Sequence, residues 1–191
     1  QGNLWAVADG KLVRMRLKDN HFRLNQLQMT SKGKYIVSQV MEDREGRFLF
    51  VGTQFADGLH VIEKKTGKEQ ALSFSDPTPG VGALPVMDLL QTRDGAIWVL
   101  THHSILRFNP GTRRLETPVQ PPLYSKGNLS NYYTEFAEDR LGNLWLGTTH
   151  LGLIRYNPHS GQCERFMPDE NDPNAIATHV VGLVRVDGRG R

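Results

Sequence analysis

The stretch from Ala137 to Gly161, AEDRLGNLWLGTTHLGLIRYNPHSG, determines how the rest of the sequence is interpreted. Glycine turns at Gly142 and Gly152 divide it into a strand end, an aromatic strand through Trp145, and a third strand. Short apolar runs that are bounded by Gly, Asn, Asp and Pro predict β-strands joined by hairpins. The stretch therefore indicates consecutive antiparallel strands.

Variants of this stretch occur three more times along the chain. The turn glycines recur about every 47 residues, a period typical of repeat architectures, and they are Gly2, Gly46, Gly95, Gly142 and Gly190. A large aromatic residue takes the same place in each repeat, as Trp5, Phe50, Trp98 and Trp145. Four short strands per repeat with a fixed aromatic are typical of a β-propeller blade. We predict an all-β fold, a β-propeller fragment with four repeats of four-stranded antiparallel blades.

The sequence forms a single array of about four repeats. Their approximate ranges are 2–45, 46–94, 95–141 and 142–189. The array begins at the second strand of one blade and ends with the first strand of another, Val180–Val186, so both ends resemble cuts within a longer array. An open arc leaves apolar blade faces and strand edges uncovered. We therefore expect homo-oligomers through the exposed blade edges.

Composition excludes several classes of protein. The formal net charge is +3, and the basic residues are scattered along the sequence. A nucleic-acid-binding surface usually clusters them, so we predict no nucleic-acid partner. No apolar run approaches the roughly 18 residues that span a bilayer. The single cysteine, Cys163, cannot form an internal disulfide, and we interpret it as a packing residue.

Most of the repeated residues have a structural interpretation. One large aromatic per blade at a fixed position packs blade against blade. Asp43, Asp94, Asp139 and Asp187 each precede a turn glycine, where a carboxylate caps its own turn. The sequence has no phosphate-binding glycine loop, His-Glu-x-x-His, Cys-x-x-Cys or Gly-x-Ser-x-Gly motif. We predict no catalytic residue, no metal site and no cofactor.

The signatures Glu-Asp-x-x-Gly-Asn-Leu-Trp-Leu-Gly-Thr (138–148) and Gly-Leu-x-Arg-Tyr-Asn-Pro (152–158) resemble the two-component regulator propeller repeat. The resemblance extends over the four repeats and is closest in the last. It implies the periplasmic sensor region of an inner-membrane hybrid histidine kinase or of a related diguanylate cyclase. It also implies that the chain is part of a larger, seven-bladed propeller, with neighbouring blades of the parent chain as partners.

Candidate binding residues lie in loops, because the strands are committed to the blades. Loops that follow the aromatic strand and loops that enter the innermost strand project on the same face of a propeller. Aromatic faces with Asn and His donors suit a carbohydrate or another small molecule. The candidate ligand-binding residues are Phe55, His102, His103, Tyr132, Tyr133 and His150.

Three functions remain open at this point. The leading hypothesis is a non-enzymatic sensor that binds a small molecule or glycan and signals to a kinase or cyclase. The second is a propeller enzyme of the streptogramin-lyase or lactonase type, with His102, His103 or His150 as base and Glu135 or Asp88 nearby. The third is a protein-interaction scaffold.

Overall fold

The computed structural model describes residues 3–8, 11–16, 21–25, 36–54, 58–74, 85–117 and 131–187. These residues form fifteen β-strands and no helix. The strands pair antiparallel, in sequence order, into four sheets. The all-β architecture predicted from the repeats is therefore confirmed.

The four sheets follow one another along the chain. The first sheet has the three strands β1 (Asn3–Ala8), β2 (Lys11–Arg16) and β3 (His21–Asn25). The second contains β4 (Val37–Glu42), β5 (Phe48–Thr53), β6 (Leu59–Glu63) and β7 (Glu69–Leu72). The third contains β8 (Val86–Gln91), β9 (Ile97–Thr101), β10 (Ile105–Asn109) and β11 (Arg114–Glu116). The fourth contains β12 (Tyr133–Glu138), β13 (Leu144–Thr148), β14 (Leu153–Tyr156) and β15 (Cys163–Phe166).

The first strand of each four-stranded sheet is its innermost strand. Strand β4 contacts β8, and β8 contacts β12, so the three lie side by side. Each of the three shifts its pairing register at a β-bulge close to its start. Each four-stranded sheet thus joins the last strand of one sequence repeat to the first three strands of the next.

One predicted strand is absent. Residues 180–186 were expected to form the first strand of a further blade, but they belong to no sheet in this structure. A strand needs a hydrogen-bonded neighbour, and apolar patterning alone does not provide one. Residue Val181 nevertheless docks on the fourth sheet, because its amide donates to the carbonyl oxygen of Thr148 at 2.8 Å.

Aromatic side chains fill the spaces between sheets, as predicted. Phe50 of the second sheet is fully buried, and its ring meets that of Phe108 in the third sheet edge-on at 5.1 Å. Trp98 of the third sheet is buried against the fourth sheet in a cluster with Tyr133, Phe136 and other apolar residues. The first three sheets therefore use their repeated aromatics, Trp5, Phe50 and Trp98, to pack against the next sheet.

Hairpin carboxylates hold the turns, also as predicted. The Oδ1 atom of Asp43 accepts hydrogen bonds from the amides of Arg47 and Phe48, both at 2.7 Å. Asp139 accepts from the amides of Leu141 and Asn143 in the same way, at 2.9 and 3.0 Å. These turns include Gly46 and Gly142, whose φ angles of 66° and 79° favour glycine. The cited carboxylate oxygens are thus turn acceptors.

Arginines next to these turns link neighbouring sheets at the end opposite the bulges. Arg44 donates from its guanidinium to the carbonyl oxygens of Gln91 at 2.8 Å and Thr92 at 2.9 Å. One repeat later, Arg93 donates from its amide to the Glu138 carboxylate at 2.8 Å and from its guanidinium to the Asp139 carbonyl. Each arginine ties its own sheet to the innermost strand of the next.

We expect Phe50→Ala to lower the free energy of unfolding by about 3–5 kcal/mol, because neighbours only partly fill the cavity left by a buried ring. Urea denaturation followed by tryptophan fluorescence measures the change. Leu141→Ala is the matched control, since Leu141 is 81% exposed. This substitution should change the free energy of unfolding by no more than about 0.5 kcal/mol. Equal losses in the two variants would contradict inter-sheet packing by Phe50.

Asp43→Ala tests the turn carboxylate. The substitution leaves the amides of Arg47 and Phe48 without their acceptor, so we expect a loss of about 2 kcal/mol in the free energy of unfolding. Asp43→Asn retains one acceptor oxygen and should lose less in the same urea titration. An asparagine variant as unstable as the alanine variant would contradict the role of Asp43 Oδ1 as acceptor for the turn amides.

Candidate functional site

Buried threonines shape the loops on the bulged end of the sheets. Thr53, Thr101 and Thr148 end β5, β9 and β13 and are at most 1% exposed. Each hydroxyl donates to a carbonyl oxygen on the far side of the following loop, at 2.7–3.1 Å. The hydroxyl thereby closes a tight loop and fixes the direction in which the next side chain leaves the strand.

The structure brings His102, His103 and Tyr132 together on this face. The ring centroids of His102 and Tyr132 are 4.8 Å apart, with 37° between the ring planes. The rings of His102 and His103 are 6.0 Å apart and meet edge-on. All three side chains are partly exposed. They form a continuous aromatic surface, which we call the His102–Tyr132 platform.

Backbone hydrogen bonds hold the platform across two sheets. The amide of Tyr133 donates to the carbonyl oxygen of His102 at 2.9 Å, which ties the fourth sheet to the third. Tyr132 and Thr149 are joined twice: the Thr149 amide donates to the Tyr132 carbonyl at 3.0 Å, and the Tyr132 amide donates to the Thr149 hydroxyl oxygen at 3.1 Å. Both the amide and the carbonyl of Tyr132 are therefore held by Thr149.

A cavity of about 430 Å³ opens beside the platform, between the innermost strands of the second and third sheets. Pro85, Val86 and Met87 supply apolar surface, and polar groups come from the second sheet and from the platform. The Ser38 hydroxyl donates to the carbonyl oxygen of Val86 at 2.6 Å, which closes one wall. Among the described residues, the cavity is lined by Ser38, Gln54, Pro85, Val86, Met87 and His102.

Sequence reasoning did not select Gln54 as a candidate, although the repeat pointed to it. Gln54 follows Thr53 as His102 follows Thr101, so the two positions are equivalent in neighbouring sheets. The side chain of Gln54 is exposed at the cavity. Its carboxamide supplies both a donor and an acceptor there.

Two other predicted residues, Tyr133 and His150, lie elsewhere. Tyr133 is fully buried in the core between the third and fourth sheets, so it does not contribute to the exposed face. Burial raises the pKa of its hydroxyl well above the ordinary value. His150 is exposed in the turn after β13 and does not line the cavity. Phe55 lies outside the described residues.

The two carboxylates of the enzyme hypothesis are engaged in structural contacts. Asp88 accepts from the amides of Leu89 at 2.9 Å and Phe136 at 3.3 Å. Burial, reinforced by the charge of Glu135, raises the pKa of Asp88. Glu135 binds the guanidinium of Arg185 through both carboxylate oxygens, at 2.7 and 3.2 Å. Asp88 thereby joins β8 to β12, and Glu135 joins β12 to the segment that contains Arg185.

The described part of the chain shows no group of three His, Cys, Asp or Glu side chains placed to bind a metal ion. It also contains no helix with the length and hydrophobicity that a membrane crossing requires.

Comparison with known sequences supports the resemblance noted above. The family model of the two component regulator propeller matches residues 127–150, which include the Gly142 turn and Trp145. The resemblance is thus confirmed, with a match that spans the end of the third repeat and the start of the fourth. No curated protein matches the sequence.

Solved structures show the same fold. The extracellular domain of BT4673 from B. thetaiotaomicron, assigned to a hybrid two component system, aligns with a TM-score of 0.77 at 17% identity. The alignment covers 98% of this chain and 24% of that one, so the chain spans about a quarter of this relative. The Swd1 β-propeller domain of Myceliophteria thermophila has a TM-score of 0.59 at 13% identity, covering 85% of this chain and 55% of that one.

A third structure, assigned as a 6-phosphogluconolactonase from Bacteroides uniformis, has a TM-score of 0.54 at 12% identity. This alignment covers 85% of the chain and 50% of that protein. At such identities the likeness concerns the fold. The predicted β-propeller fold is confirmed.

The pKa of His102 is lowered from 6.5, first by burial and then by the neighbouring His103. The unfolded chain therefore binds more protons than the folded chain between the lowered pKa and 6.5. We expect the free energy of unfolding to fall as the pH drops through this window. The stability that the neutral His102 ring contributes should be fully present above about pH 6.5. NMR titration of the His102 ring measures the pKa.

His102→Gln provides the matched control, since it removes the titrating group. Its free energy of unfolding should fall less than that of the unaltered chain between roughly pH 7.5 and pH 5. A His102 pKa at or above 6.5 would show that burial does not disfavour its charged form.

Proposed function

We propose that the chain is the extracytoplasmic ligand-sensing β-propeller module of a two-component or diguanylate cyclase receptor, located in the periplasm. The cavity beside the His102–Tyr132 platform binds its ligand, a small molecule or a glycan. The observation that carries the proposal is a cavity of about 430 Å³ that lies beside the partly exposed rings of His102 and Tyr132 and the exposed carboxamide of Gln54.

The chemistry of the cavity supports a neutral, hydroxyl-rich ligand. The lowered pKa of His102 keeps its ring neutral at pH 7, so the imidazole offers one donor and one acceptor. Gln54 offers the same pair from the opposite sheet. The platform rings supply flat apolar surface for the C–H face of a sugar. None of the lining side chains that the structure describes carries a full charge to match a charged ligand.

The position of the cavity supports sensing as well as binding. It lies between the innermost strands of the second and third sheets, and the platform beside it extends to the fourth sheet. A ligand that contacts both Gln54 and His102 would change the free energy of one arrangement of these sheets relative to another. The extracellular two component system domain described above has the same fold, which supports the signalling role.

Binding can be tested by isothermal titration calorimetry with four neutral probes, namely maltotriose, cellotriose, xylotriose and mannotriose. We expect at least one to bind, and His102→Ala and Tyr132→Ala each to weaken it at least tenfold. Gln54→Ala should weaken it through the lost amide bonds. Loss of a hydrogen bond to a neutral ligand corresponds to about 0.5–1.5 kcal/mol.

His159→Ala is the matched control, because His159 is an exposed histidine in the hairpin between β14 and β15, at the opposite end of the sheet. It should leave the affinity unchanged. Full-strength binding by His102→Ala and Tyr132→Ala would remove the cavity as the binding site. Cleavage of a probe during the titration would favour the enzyme hypothesis instead.

A further inference from the structure

One arginine holds a backbone position that is glycine in the two neighbouring sheets. The hairpin between the two outer strands turns at Gly67 in the second sheet, at Arg113 in the third and at Gly161 in the fourth. Each of these residues donates its amide to the carbonyl oxygen four residues earlier at 2.8 Å. Their φ angles are 72°, 55° and 72°. A residue other than glycine is strained in this conformation and persists where its surroundings hold it.

The Arg113 side chain is held by the second sheet. Its guanidinium donates to the Glu63 carboxylate at 2.8 Å and lies over the Phe48 ring, 5.6 Å from the centroid. The Gln70 carboxamide donates to the Arg113 carbonyl oxygen at 3.2 Å. The hydrogen bond from Arg113, ahead of that from Thr66, lowers the pKa of Glu63. We call the space bounded by Phe48, Glu63 and Gln70 the arginine slot.

Strand pairing identifies the equivalent place on the third sheet. Trp98 pairs with Arg107, and Arg107 pairs with Glu116. In the second sheet, Phe50 pairs with Val61 and Val61 pairs with Gln70 in the same way. Counting along the strands from these pairs gives the residues equivalent to Phe48, Glu63 and Gln70, which are Ala96, Asn109 and Glu116.

A cavity of about 340 Å³ lies at this place on the third sheet, and Ala96, Asn109 and Glu116 all line it. We call it the Glu116 cavity. A methyl group stands at Ala96 where the arginine slot has the ring of Phe48, which leaves more space. The residue equivalent to Arg113 is Gly161, and a methyl group added there would meet no described heavy atom within 4 Å. The hairpin of Gly161 therefore sends no side chain into this space.

The Glu116 cavity keeps one carboxylate and one carboxamide, but in exchanged positions. The arginine slot has its carboxylate at Glu63 and its carboxamide at Gln70. In the Glu116 cavity the carboxamide is Asn109, which donates to the Glu116 carboxylate at 2.7 Å. This hydrogen bond orients the Glu116 carboxylate at the wall of the cavity. An acceptor for a cation is thus present, as it is for Arg113.

Asp94 adds a second carboxylate to the lining. Hydrogen bonds from the Thr92 hydroxyl and then from the Ala96 amide lower the pKa of Asp94, so it is ionised at pH 7. Arg107 also lines the cavity, and its guanidinium lies over the Trp98 ring, 5.9 Å from the centroid. Among the described lining residues, two carboxylates therefore face one guanidinium, and one negative charge is in excess.

We propose that the Glu116 cavity binds a small organic cation with a guanidinium group, in the place equivalent to that of the Arg113 side chain. The planar guanidinium donates to the Glu116 and Asp94 carboxylates, a pairing that its fork of N–H donors matches. The cavity lies at the hairpin end of the sheets, opposite the His102–Tyr132 platform. It is therefore a second site, separate from the cavity proposed for the neutral ligand.

The exchange of carboxylate and carboxamide favours a free cation over an arginine side chain of a partner protein. In the arginine slot, Gln70 donates to the peptide carbonyl of the bound arginine. Glu116 stands at that position in the cavity, and an ionised carboxylate only accepts hydrogen bonds. A peptide carbonyl would therefore face another acceptor, whereas a further N–H group of a free cation would find a partner.

NMR titration with two probes tests the site and separates these two sources of the guanidinium group. Agmatine is a free cation, and N-acetyl-arginine amide represents an arginine side chain within a polypeptide. We expect agmatine to shift the amide signals of Ala96, Glu116 and Gly161, and to bind at least threefold more tightly than the amide. Tighter binding of the amide would overturn the assignment to a free cation. No shift with either probe would overturn the site.

Glu116→Gln removes the charge and keeps the size of the side chain. It should weaken agmatine binding at least tenfold, because hydrogen bonds between charged groups are the stronger ones. Glu170→Gln is the matched control, since it removes the same charge from an exposed loop residue after β15. It should leave the affinity within about twofold. Equal weakening by the two variants would show unspecific attraction and contradict the site.

Gly161→Arg supplies the guanidinium from within the chain, and Arg113 shows that arginine adopts this backbone conformation. It should weaken agmatine binding at least tenfold by occupying the Glu116 cavity. Gly161→Ala has the same backbone strain without the guanidinium and should bind agmatine within about twofold of the unaltered chain. Unchanged agmatine binding by Gly161→Arg would overturn the proposal.

Urea denaturation of the same two variants gives a readout that does not depend on the probe. Gly161→Arg should unfold at a higher urea concentration than Gly161→Ala, because its guanidinium gains the Glu116 carboxylate. This difference should disappear when both variants also carry Glu116→Gln. A difference that persists without the Glu116 charge would contradict guanidinium binding at this carboxylate. Circular dichroism checks that each variant retains its β-structure.

Discussion

The structure depends on the burial of one large aromatic side chain between each sheet and the next. A four-stranded sheet of this size has two faces and cannot bury either alone, so it requires a neighbour on both sides. Phe50 and Trp98 lie at the centres of the two complete interfaces and are nearly inaccessible to water. The turn carboxylates, the bulges and the inter-sheet arginines all act at the borders of these interfaces.

This dependence separates the two ends of each sheet into different tasks. At one end, Arg44 and Arg93 tie each sheet to the next innermost strand, and the residues there are occupied by structural bonds. At the other end, threonine-closed loops hold His102 and Tyr132 at the surface beside a cavity. A binding site can therefore change at one end of the sheets without loss of the contacts that hold them together.

The sequence predicted the strands well, and it predicted less of the site. Fifteen strands were found where apolar runs and turn residues indicated them. Residues 180–186 were the exception, because pairing depends on a neighbour that sequence patterning does not supply. Among the candidate residues, His102, His103 and Tyr132 come together, whereas Tyr133 is buried. Tyr132 directly precedes β12 and Tyr133 begins it. Adjacent residues of extended backbone point to opposite sides, and the sequence did not show which tyrosine faces the core.

The sequence by itself determined the repeat, the turn carboxylates and the aromatic that packs one sheet on the next, because these follow from local periodicity and turn chemistry. Only the tertiary structure decided that Gln54 and His102, in different repeats, line one cavity. It also decided that Arg113 fills a space beside the second sheet whose equivalent beside the third sheet is a cavity. Burial and cavity shape depend on residues that lie far apart in the chain, and no local pattern records them.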